Sequence, residues 1–401
     1  MVGNPMTRKM RVGMVGGGAE SFMGSIHRAA IEQSGCAELV CGAFGSTRQS
    51  SFETGRALAL PTRRVYGTYR DMFRREATLQ EGDRMDFVAI LAPNTMHYPV
   101  AMSAIDASVP VFSEKPFTCN MDEALNLTRK QQNSKLPYGV AIVHAGYPKL
   151  QQAKALIQVD KTIGNIRKVI TSYSLGWMSQ RLETAGNKQA GWRADPRRCG
   201  QAGCLIDLGT SCFHLTEWLT GLSVSEVCAD LRPTVAGRIL DDDCSILVRF
   251  EGGARGVFLP SQIAAGNADG LAIEVYGDKG SLYWSQGNSD RLVLREIDGT
   301  ERVLTGEPPA EKCQPPFAPT PYGNNAAYID ALAESYRSFV AYLAAPKKVQ
   351  REGEFAFARV EEGLRTVTFV DAVLKNAAVP EEGQPPPAKW MPFVVPPVPE
   401  L

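Results

Sequence analysis

Histidine is scarce in this 401-residue sequence, which holds only His27, His97, His144 and His214. Histidine is the side chain most often used for acid–base catalysis near neutral pH. Any mechanism that relies on histidine must therefore use one of these four positions, or another side chain has to carry the proton. His27 lies within the first helical segment and is expected to be structural.

The sequence also lacks an excess of charge of either sign, with 43 Lys and Arg against 43 Asp and Glu. Such a balance gives no broad electrostatic surface for nucleic acid or an anionic membrane, so neither is expected as a partner. No apolar run reaches the roughly 18 residues of a membrane span, and the first residues show no apolar leader core. These absences predict a cytoplasmic protein.

Paired cysteine motifs are absent as well. The nine cysteines are scattered, with no CxxC pair, and Cys199 and Cys204 are not spaced like the ligands of a zinc site. This usage favours reduced thiols and predicts a protein without a bound metal.

The pattern of predicted strands and helices changes near residue 143. In residues 1–143, short apolar strands alternate with helical segments, which predicts a parallel α/β sheet with helices on both faces. In residues 144–380, many short strands joined by glycine turns predict an antiparallel sheet with a few helices. Residues 381–401 are rich in proline, so we expect an extended tail that lies on the protein or on a partner subunit.

The first strand ends in a glycine-rich loop, VGMVGGGAESFMG, that opens a helix. Gly16 permits a tight turn and Gly18 lets the backbone approach a pyrophosphate, while Ser21 and Phe22 begin a helix whose N-terminus offers free N–H groups. The spacing departs from the usual fingerprint, because serine stands at 21 and the next glycine is Gly24. A plain turn is the alternative, but the alternating pattern favours a dinucleotide site.

The second strand ends without the carboxylate that commonly binds the ribose 2′-hydroxyl of NAD. The residues there are Ser46, Thr47 and Arg48, which can hold a 2′-phosphate through hydroxyl groups and a guanidinium. We therefore expect NAD or NADP as the cofactor and favour NADP. An arginine in a solvated turn is the alternative interpretation.

Three further motifs follow in order: APNTMH at 92–97, SEKPF at 113–117 and GCLIDLGTS at 203–211. With QAGWRADPRRCG at 189–200, they resemble the Gfo/Idh/MocA oxidoreductases, in a long-chain subgroup, over about residues 9–343. The resemblance implies an N-terminal Rossmann domain, parallel and doubly wound, and a C-terminal α/β domain with a large open, mainly antiparallel sheet. The outer face of that sheet often forms a subunit interface, which implies a homodimer or homotetramer.

The same resemblance implies hydride exchange between a nicotinamide cofactor and a secondary alcohol or ketone of a sugar, glycoside or cyclitol. It also implies two sets of residues near that cofactor. Those at strand ends are Pro93, Asn94, His97, Glu114 and Lys115, and those on a loop that closes over the cofactor are Trp192 and Arg193.

Lys115 is the candidate that elementary chemistry supports independently. Its position after an apolar strand and before a proline places it at the carboxyl edge of the parallel sheet, where ligands bind. Oxidising an alcohol requires a group that takes the hydroxyl proton, and a lysine beside a positively charged nicotinamide can act as that base or stabilise the alkoxide. A solvated surface lysine is the alternative.

The family usually continues with an aspartate and, four residues later, a histidine on the same helix face. Here the aspartate is Asp207, but the histidine position is Ser211, which cannot serve as a base unaided. His214 shares a helix face with Asp207 about 10 Å further along the helix, and His144 ends a strand where relatives carry a pocket residue. The catalytic candidates are therefore Lys115, Asp207, His144 and His214, with a buried structural histidine as the alternative for His214.

Substrate contacts are expected from Tyr147, Ser211 and Asn267, with Gln262 as a further candidate. A tight turn is the alternative for the two residues of the SQIAAGNADG loop. The run YGNNAAY at 322–328 departs from the His-Pro-Glu-Gly of long-chain relatives, so two polar pocket positions differ from theirs.

These departures leave three functions open. The first is an NAD(P)-dependent dehydrogenase or reductase with a carbohydrate or polyol substrate. The second is a redox-neutral glycosidase or lyase that passes through a transient keto-sugar. The third is a catalytically silent protein that senses a sugar or cofactor, or serves as a partner subunit.

Overall fold

The structure is a computed structural model that describes residues 8–19, 21–268, 270–306, 325–378 and 389–399. Among these residues, no helix is both long and apolar enough to cross a membrane. The eight cysteines in the described ranges are all free thiols. The two strand patterns of the sequence correspond to two separate sheets.

The first sheet has the strands β1 (Met10–Gly16), β2 (Ala37–Ala43), β3 (Phe87–Leu91), β4 (Val111–Glu114) and β5 (Tyr138–Ala141). They lie in the order β2-β1-β3-β4-β5, and every neighbouring pair is parallel. The chain crosses over beside β1, which has β2 on one side and β3 on the other. A crevice outside the carboxyl ends of the strands at such a crossover is where ligands bind in open α/β sheets.

The helices that connect these strands are α1 (Phe22–Ser34), α2 (Arg48–Ala57), α3 (Tyr69–Glu76), α4 (His97–Asp106) and α5 (Met121–Ser134). Four of them begin after a residue whose side chain accepts a hydrogen bond from the first turn, namely Ser21, Thr47, Thr68 and Asn120. The sequence pattern indicates α1, α4 and α5. It does not indicate α2 and α3, because polar residues dominate those segments.

The second sheet has the strands β6 (Ile166–Ser174), β7 (Val224–Arg232), β8 (Asp243–Phe250), β9 (Arg255–Ser261), β10 (Leu271–Gly277), β11 (Gly280–Ser285), β12 (Arg291–Glu296), β13 (Glu301–Thr305) and β14 (Met391–Pro392). Within the described residues their order is β13-β12-β11-β10-β6-β9-β8-β7-β14. Only the β6–β9 pair among these neighbours is parallel. The prediction of a parallel Rossmann sheet followed by a large, mainly antiparallel sheet is confirmed.

The remaining helices are α6 (Pro148–Gln158), α7 (Lys188–Arg193), α8 (Pro196–Cys199), α9 (Thr210–Thr220), α10 (Asn325–Ala344), α11 (Lys347–Glu352) and α12 (Val360–Ala377). Helices α9 and α12 pack on one face of the second sheet. Phe213 of α9 stacks on Phe369 of α12 with 4.5 Å between ring centroids, and Phe258 of β9 meets Phe369 at 5.9 Å. These aromatic contacts fix the position of α9 on the sheet.

Helix α10 returns to the first sheet. Its Tyr336 and Phe339 pack against Phe112 of β4, with ring centroids 4.8 and 5.1 Å apart. All three side chains are 0% exposed. A helix of the predicted 144–380 domain thus packs on the parallel sheet, and the division of the chain by residue number stays a prediction.

The described part of the tail, residues 389–399, has no helix. Its strand β14 pairs with the edge strand β7 of the same chain. Phe393 is 7% exposed and lies 5.6 Å from the ring of Phe213. This segment therefore covers an edge that would otherwise present unpaired backbone groups. The other tail residues lie outside the described ranges.

Candidate active site

A cleft of about 1530 Å³ runs along the carboxyl ends of the parallel strands and reaches the second sheet. Its volume exceeds the roughly 300–1,000 Å³ of a typical small-molecule pocket, so it has room for a dinucleotide and a second ligand. The glycine loop, the residues that follow β2, β3 and β4, and the loop around α7 line this cleft.

The glycine loop turns directly from β1 into α1. Gly16 has a φ of 81°, a backbone conformation that favours glycine. The hydroxyl of Ser21 accepts a hydrogen bond from the N–H of Gly24 at 3.2 Å. A Cβ on Gly24 would lie 2.4 Å from the carbonyl oxygen of Gly17, so this glycine provides the close packing that the usual fingerprint assigns to its third glycine. The predicted residues that line the cleft here are Gly16, Gly18, Ser21 and Phe22.

The residues after β2 form the far end of the cleft. Ser46 lines it, whereas Arg48 is exposed and places its guanidinium 5.2 Å from the ring centroid of Phe52. Two charged residues that sequence reasoning missed line this end of the cleft, Glu53 on α2 and Arg70 on α3. A carboxylate can bind ribose hydroxyls and a guanidinium can bind a 2′-phosphate, so the lining holds groups for either cofactor.

The segment after β3 is tied to two other parts of the cleft. The predicted residues that line the cleft here are Pro93, Asn94 and His97. The amide of Asn94 donates to the backbone oxygen of Cys199 at 3.0 Å. The ring nitrogens of His97 lie 2.7 Å from the carbonyl oxygen of Pro116 and 2.9 Å from that of Ala92. Burial lowers the pKa of His97 despite these two acceptors, and the ring connects the ends of β3 and β4.

An ion pair between Lys115 and Asp207 lies where the two sheets meet at the cleft. Nζ of Lys115 donates to Oδ1 of Asp207 at 2.7 Å and also to the backbone oxygen of Asp207. Both residues line the cleft, with side chains 21% and 12% exposed. Asp207 lies in the π-helical turn Leu205–Gly209 that precedes α9, a feature frequent at functional sites.

Two further side chains hold the carboxylate of Asp207. Nε of Arg193 lies 3.4 Å from Oδ2, and the amide of Gln262 donates to the same oxygen at 3.0 Å. The guanidinium of Arg193 also lies over the ring of Trp192 at 4.1 Å. Burial opposes ionisation of Asp207, but the positive charges of Lys115 and Arg193 lower its pKa to about 2. We call Lys115, Asp207, Arg193 and Gln262 the lysine–aspartate cluster.

Behind Lys115, a buried chain of polar groups reaches from the cleft into the core. Glu114, which lines the cleft, accepts a hydrogen bond from Nε2 of His27 at 2.8 Å, and Nδ1 of His27 lies 2.7 Å from the hydroxyl of Tyr336. A carboxylate can only accept, so in the neutral imidazole Nε2 carries the proton and Nδ1 accepts from the tyrosine. His27 is 0% exposed and therefore positions Glu114 without meeting a ligand.

The other two histidines form a separate buried arrangement, which we call the histidine chain. Nε2 of His144 lies 2.7 Å from Nδ1 of His214, and Nε2 of His214 lies 3.2 Å from Oε1 of Glu362. The two histidines are 3% and 5% exposed, whereas the Glu362 side chain is 39% exposed. Burial and the neighbouring His214 lower the pKa of His144 well below its usual value. Neither histidine is among the described residues that line the cleft, so their catalytic role stays a prediction.

The predicted substrate contacts lie apart from the described lining of the cleft. Tyr147 is 3% exposed and packs on Trp284, with ring centroids 5.1 Å apart. Ser211 is buried on α9, one turn after the aspartate. Asn267 is exposed in a turn, where its backbone oxygen accepts from the N–H of Gly176. Their assignment to the substrate stays a prediction.

Sequence reasoning also missed Tyr173 and Gln286, residues of the lining that come from the second sheet, whereas Tyr328 of α10 lines the cleft and belongs to the run 322–328 that the sequence analysis singled out. The first two stand at strand ends, but the sequence does not reveal the strand order that brings those ends to the cleft. Of the predicted run at 322–328, residues 322–324 lie outside the described ranges.

One group of side chains among the described residues has metal-ligand chemistry. The ligand atoms of Cys204, Asp241 and Cys244 all lie within 4.8 Å of one another. The carboxylate of Asp241 is already engaged, because it accepts from the N–H groups of Gly203 and Leu205, both at 2.6 Å. It caps the π-helical turn of the cleft, which accounts for its buried position.

Two family models match the chain. The model described as "Oxidoreductase family, NAD-binding Rossmann fold" matches residues 10–142. The model described as "GFO/IDH/MocA C-terminal domain" matches residues 150–283. The two matches follow one another along the chain and cover strands of both sheets.

Curated relatives and solved structures resemble nearly the whole chain. The uncharacterized oxidoreductase YfiI of Bacillus subtilis is 26% identical over 379 residues, which cover 93% of this chain and 95% of that protein. Levoglucosan dehydrogenase of Pseudarthrobacter phenanthrenivorans is 24% identical over 400 residues, covering 92% and 97%. The structure of an inositol dehydrogenase homolog from Azotobacter vinelandii, complexed with NAD+, has a TM-score of 0.85 and 26% identity over 96% of this chain and 98% of that chain.

Proposed function

Because the chain belongs to the Gfo/Idh/MocA family of oxidoreductases, we propose that it is an NAD(P)-dependent dehydrogenase or reductase. It exchanges hydride with a secondary alcohol or ketone of a sugar, glycoside or cyclitol. The observation that carries this proposal is the contact of Lys115 with Asp207 at 2.7 Å in the same cleft as the glycine loop. The levoglucosan and inositol named in similar proteins, both polyhydroxylated ring compounds, support the substrate class.

The residues of the glycine loop fit a dinucleotide. Gly18 lines the cleft, and a Cβ there would lie 2.7 Å from the carbonyl oxygen of Phe44, so the position requires glycine. The N-terminus of α1 adds N–H groups for a pyrophosphate. When bound, the nicotinamide accepts or donates the hydride. Arg70 supports NADP and Glu53 supports NAD, and the ratio of kcat/KM for the two cofactors tests the preference for NADP.

Lys115 handles the proton in this proposal. An ammonium has three N–H donors, and Asp207 accepts from two of them. The third has no partner among the described residues and is left for a substrate hydroxyl or the alkoxide formed from it. In oxidation the deprotonated lysine takes the hydroxyl proton while the carbon gives up its hydride. Arg193 and Gln262 fix Asp207, which in turn orients Lys115.

The direct test is cofactor reduction, followed at 340 nm, across polyols, sugars and glycosides with NAD and with NADP. The proposal expects net formation of NADH or NADPH with at least one of them. Tight cofactor binding without turnover of any compound would contradict it and favour a sensor. Product formation without net cofactor reduction would contradict it in favour of the redox-neutral reaction.

We also expect a homodimer or homotetramer formed through the outer face of the second sheet. Leu247 on β8 and Leu259 on β9 are 44% and 38% exposed there. Large exposed apolar side chains on one sheet face are typical of an interaction surface. Light scattering after size-exclusion chromatography tests this expectation, and a monomer at micromolar concentration would contradict it.

A further inference from the structure

We infer that Cys204, Asp241 and Cys244 form a structural zinc site beside the turn that carries Asp207. We call these three residues the thiol–carboxylate group. They are 0%, 6% and 2% exposed, and their ligand atoms all lie within 4.8 Å of one another. None of them belongs to the described lining of the cleft, so this inference does not depend on the proposed function.

The distances within the thiol–carboxylate group fit tetrahedral zinc. Zinc binds thiolate sulfur at about 2.3 Å and carboxylate oxygen at about 2.0 Å, so one ligand of each kind on a tetrahedron lie about 3.5 Å apart. Sγ of Cys244 lies 3.4 Å from Oδ2 of Asp241. Two thiolates on one zinc ion lie about 3.8 Å apart, so within the 4.8 Å limit a shift of about 1 Å or less brings the two sulfurs into place.

The carboxylate of Asp241 is already oriented as a ligand. Oδ1 accepts a hydrogen bond from the N–H of Gly203 and Oδ2 accepts one from the N–H of Leu205, both at 2.6 Å. A carboxylate has about four lone-pair sites, so these two bonds leave it able to bind a metal. Hydrogen bonds that fix a ligating side chain are typical of the surroundings of protein metal sites.

The charge of Asp241 also favours a cation at this place. A buried carboxylate is costly without a partner of opposite charge, and no Lys, Arg or His pairs with Asp241 among the described residues. When two thiols and an ionised carboxylate bind Zn²⁺, the thiols release two protons as two positive charges enter. The net charge of the site is therefore unchanged, and the carboxylate gains a cation in direct contact.

The types of ligand select zinc among the common ions. Mg²⁺ and Ca²⁺ take oxygen ligands, whereas two sulfurs with one oxygen suit Zn²⁺. Three protein ligands leave the fourth position of the tetrahedron to a water molecule. Asp241 and Cys244 are separated by two residues, which is a common spacing of paired zinc ligands. The expectation of no metal rested on paired cysteines and did not consider a pair of this mixed kind.

The proposed site joins two segments that position Asp207. Cys204 directly precedes the π-helical turn Leu205–Gly209, and Cys244 belongs to β8. Strand β8 pairs with β9, and Gln262, the residue after β9, donates to the carboxylate of Asp207. Bound zinc therefore holds the turn against the sheet, and its removal should lower the stability of the fold.

The test measures metal in the full-length protein, purified without an affinity tag and without cofactor from cells grown with added zinc. The variants are Cys244→Ala, which removes a thiol ligand, and Asp241→Asn, which keeps the shape of the side chain and removes its charge. Cys41→Ala is the matched control, because Cys41 is also a buried thiol but belongs to no group with metal-ligand chemistry among the described residues. Co²⁺, added after a chelator has removed zinc, serves as the spectroscopic probe.

We expect about one zinc ion per chain in wild type and in Cys41→Ala, and less than about 0.1 per chain in Cys244→Ala and Asp241→Asn. Co²⁺ should give the near-ultraviolet band of thiolate-bound cobalt in zinc-free wild type and not in Cys244→Ala. Because an ion bound to the folded state stabilises it, a chelator should lower the urea midpoint of wild type and leave that of Cys244→Ala unchanged.

Two results would overturn the inference. Absence of the thiolate band when Co²⁺ is added to zinc-free wild type refutes it, and this measurement does not require that any variant folds. Zinc that stays at the wild-type level in both Cys244→Ala and Asp241→Asn refutes it as well, because the ion then lies elsewhere. Both results leave the proposed function standing, since that function is tested by cofactor reduction.

Discussion

The lysine–aspartate cluster and the histidine chain contain the same kinds of groups, acids and bases within hydrogen-bonding distance, yet they differ in charge and access. In the cluster, the pKa of Asp207 is lowered to about 2, and the ion pair lines the cleft. In the histidine chain, burial lowers the pKa of His144, and the most exposed of its three side chains is that of Glu362. One arrangement is an ion pair that a ligand can reach, and the other has two buried histidines that do not line the cleft.

This difference teaches where proton transfer can occur. A catalytic acid or base must lie within hydrogen-bonding distance of the reacting atom. A side chain that the substrate cannot contact is therefore excluded, whatever its pKa. Lys115 keeps one N–H for a ligand, whereas the hydrogen bonds of His144 and His214 run to each other and to Glu362. The comparison therefore supports the proposal that the cluster carries the chemistry, and it favours a packing role between α9 and α12 for the histidine chain.

The substitution expected to have the largest effect is Lys115→Met, which removes the charge and keeps the length of the side chain. Loss of the proton-transfer group should lower kcat about 1,000-fold. Cofactor affinity, measured by fluorescence titration, should change far less. The matched control is Lys154→Met, because Lys154 pairs with Glu354 at 2.9 Å away from the described lining of the cleft. An equal loss of kcat in both variants would show that Lys115 contributes no more to the reaction than a lysine outside the described lining of the cleft.

Asp207→Asn should have the next largest effect. The amide keeps the shape of the side chain but leaves Lys115 and Arg193 without their carboxylate, so kcat should fall about 100-fold. Cofactor affinity, measured by fluorescence titration, should change far less, because Asp207 contacts Lys115 and not the glycine loop. Equal losses in cofactor affinity and in kcat would show that Asp207 only supports the fold.

The same substitution should change stability in acid. A carboxylate whose pKa is about 2 in the folded protein, against 3.8 for an ordinary aspartate, stabilises the fold above about pH 4. That stabilisation, about 2 kcal/mol, is lost as pH falls from about 4 to 2. Urea unfolding across this range should show a steeper loss in wild type than in Asp207→Asn. Parallel curves would mean that the carboxylate is not stabilised by its cations.

The smallest effect is expected in the histidine chain. Because the pKa of His144 is lowered in the folded protein, the unfolded chain binds a proton first, and stability falls as pH drops below the usual histidine value of 6.5. Between about pH 6.5 and 5.5 the loss should be about 1 kcal/mol. His144→Gln should reduce this slope, with the remainder from His97, whose pKa is also lowered. An unchanged slope would show that His144 ionises freely in the folded protein.

Those parts of the site that depend on local sequence could be predicted. The glycine loop and Lys115 each follow an apolar strand, and a parallel sheet brings the ends of such strands to one edge. Asp207 was indicated by its motif. That the first sheet is parallel and the second mainly antiparallel followed from the length of the segments between strands, since short glycine turns permit only antiparallel neighbours.

Contacts between distant segments could not be predicted. His27 reaches Glu114 across 87 positions of sequence, and no local pattern records that pairing. Glu53 and Arg70 lie on short helices in which polar residues dominate, so nothing indicated that they face the cleft. The pairing of His144 with His214 also depends on how α9 packs. Sequence spacing placed His214 on the helix face of Asp207, about 10 Å further along, without revealing that its ring meets another histidine.

The most direct test of the central claim is the rate of hydride transfer in a single turnover, followed at 340 nm with cofactor prebound. It compares Lys115→Met with the double variant His144→Gln/His214→Gln, which keeps hydrogen-bonding groups in the histidine chain. The account predicts a loss of about 1,000-fold for Lys115→Met and less than about 10-fold for the double variant. A loss in the double variant as large as that in Lys115→Met would contradict it.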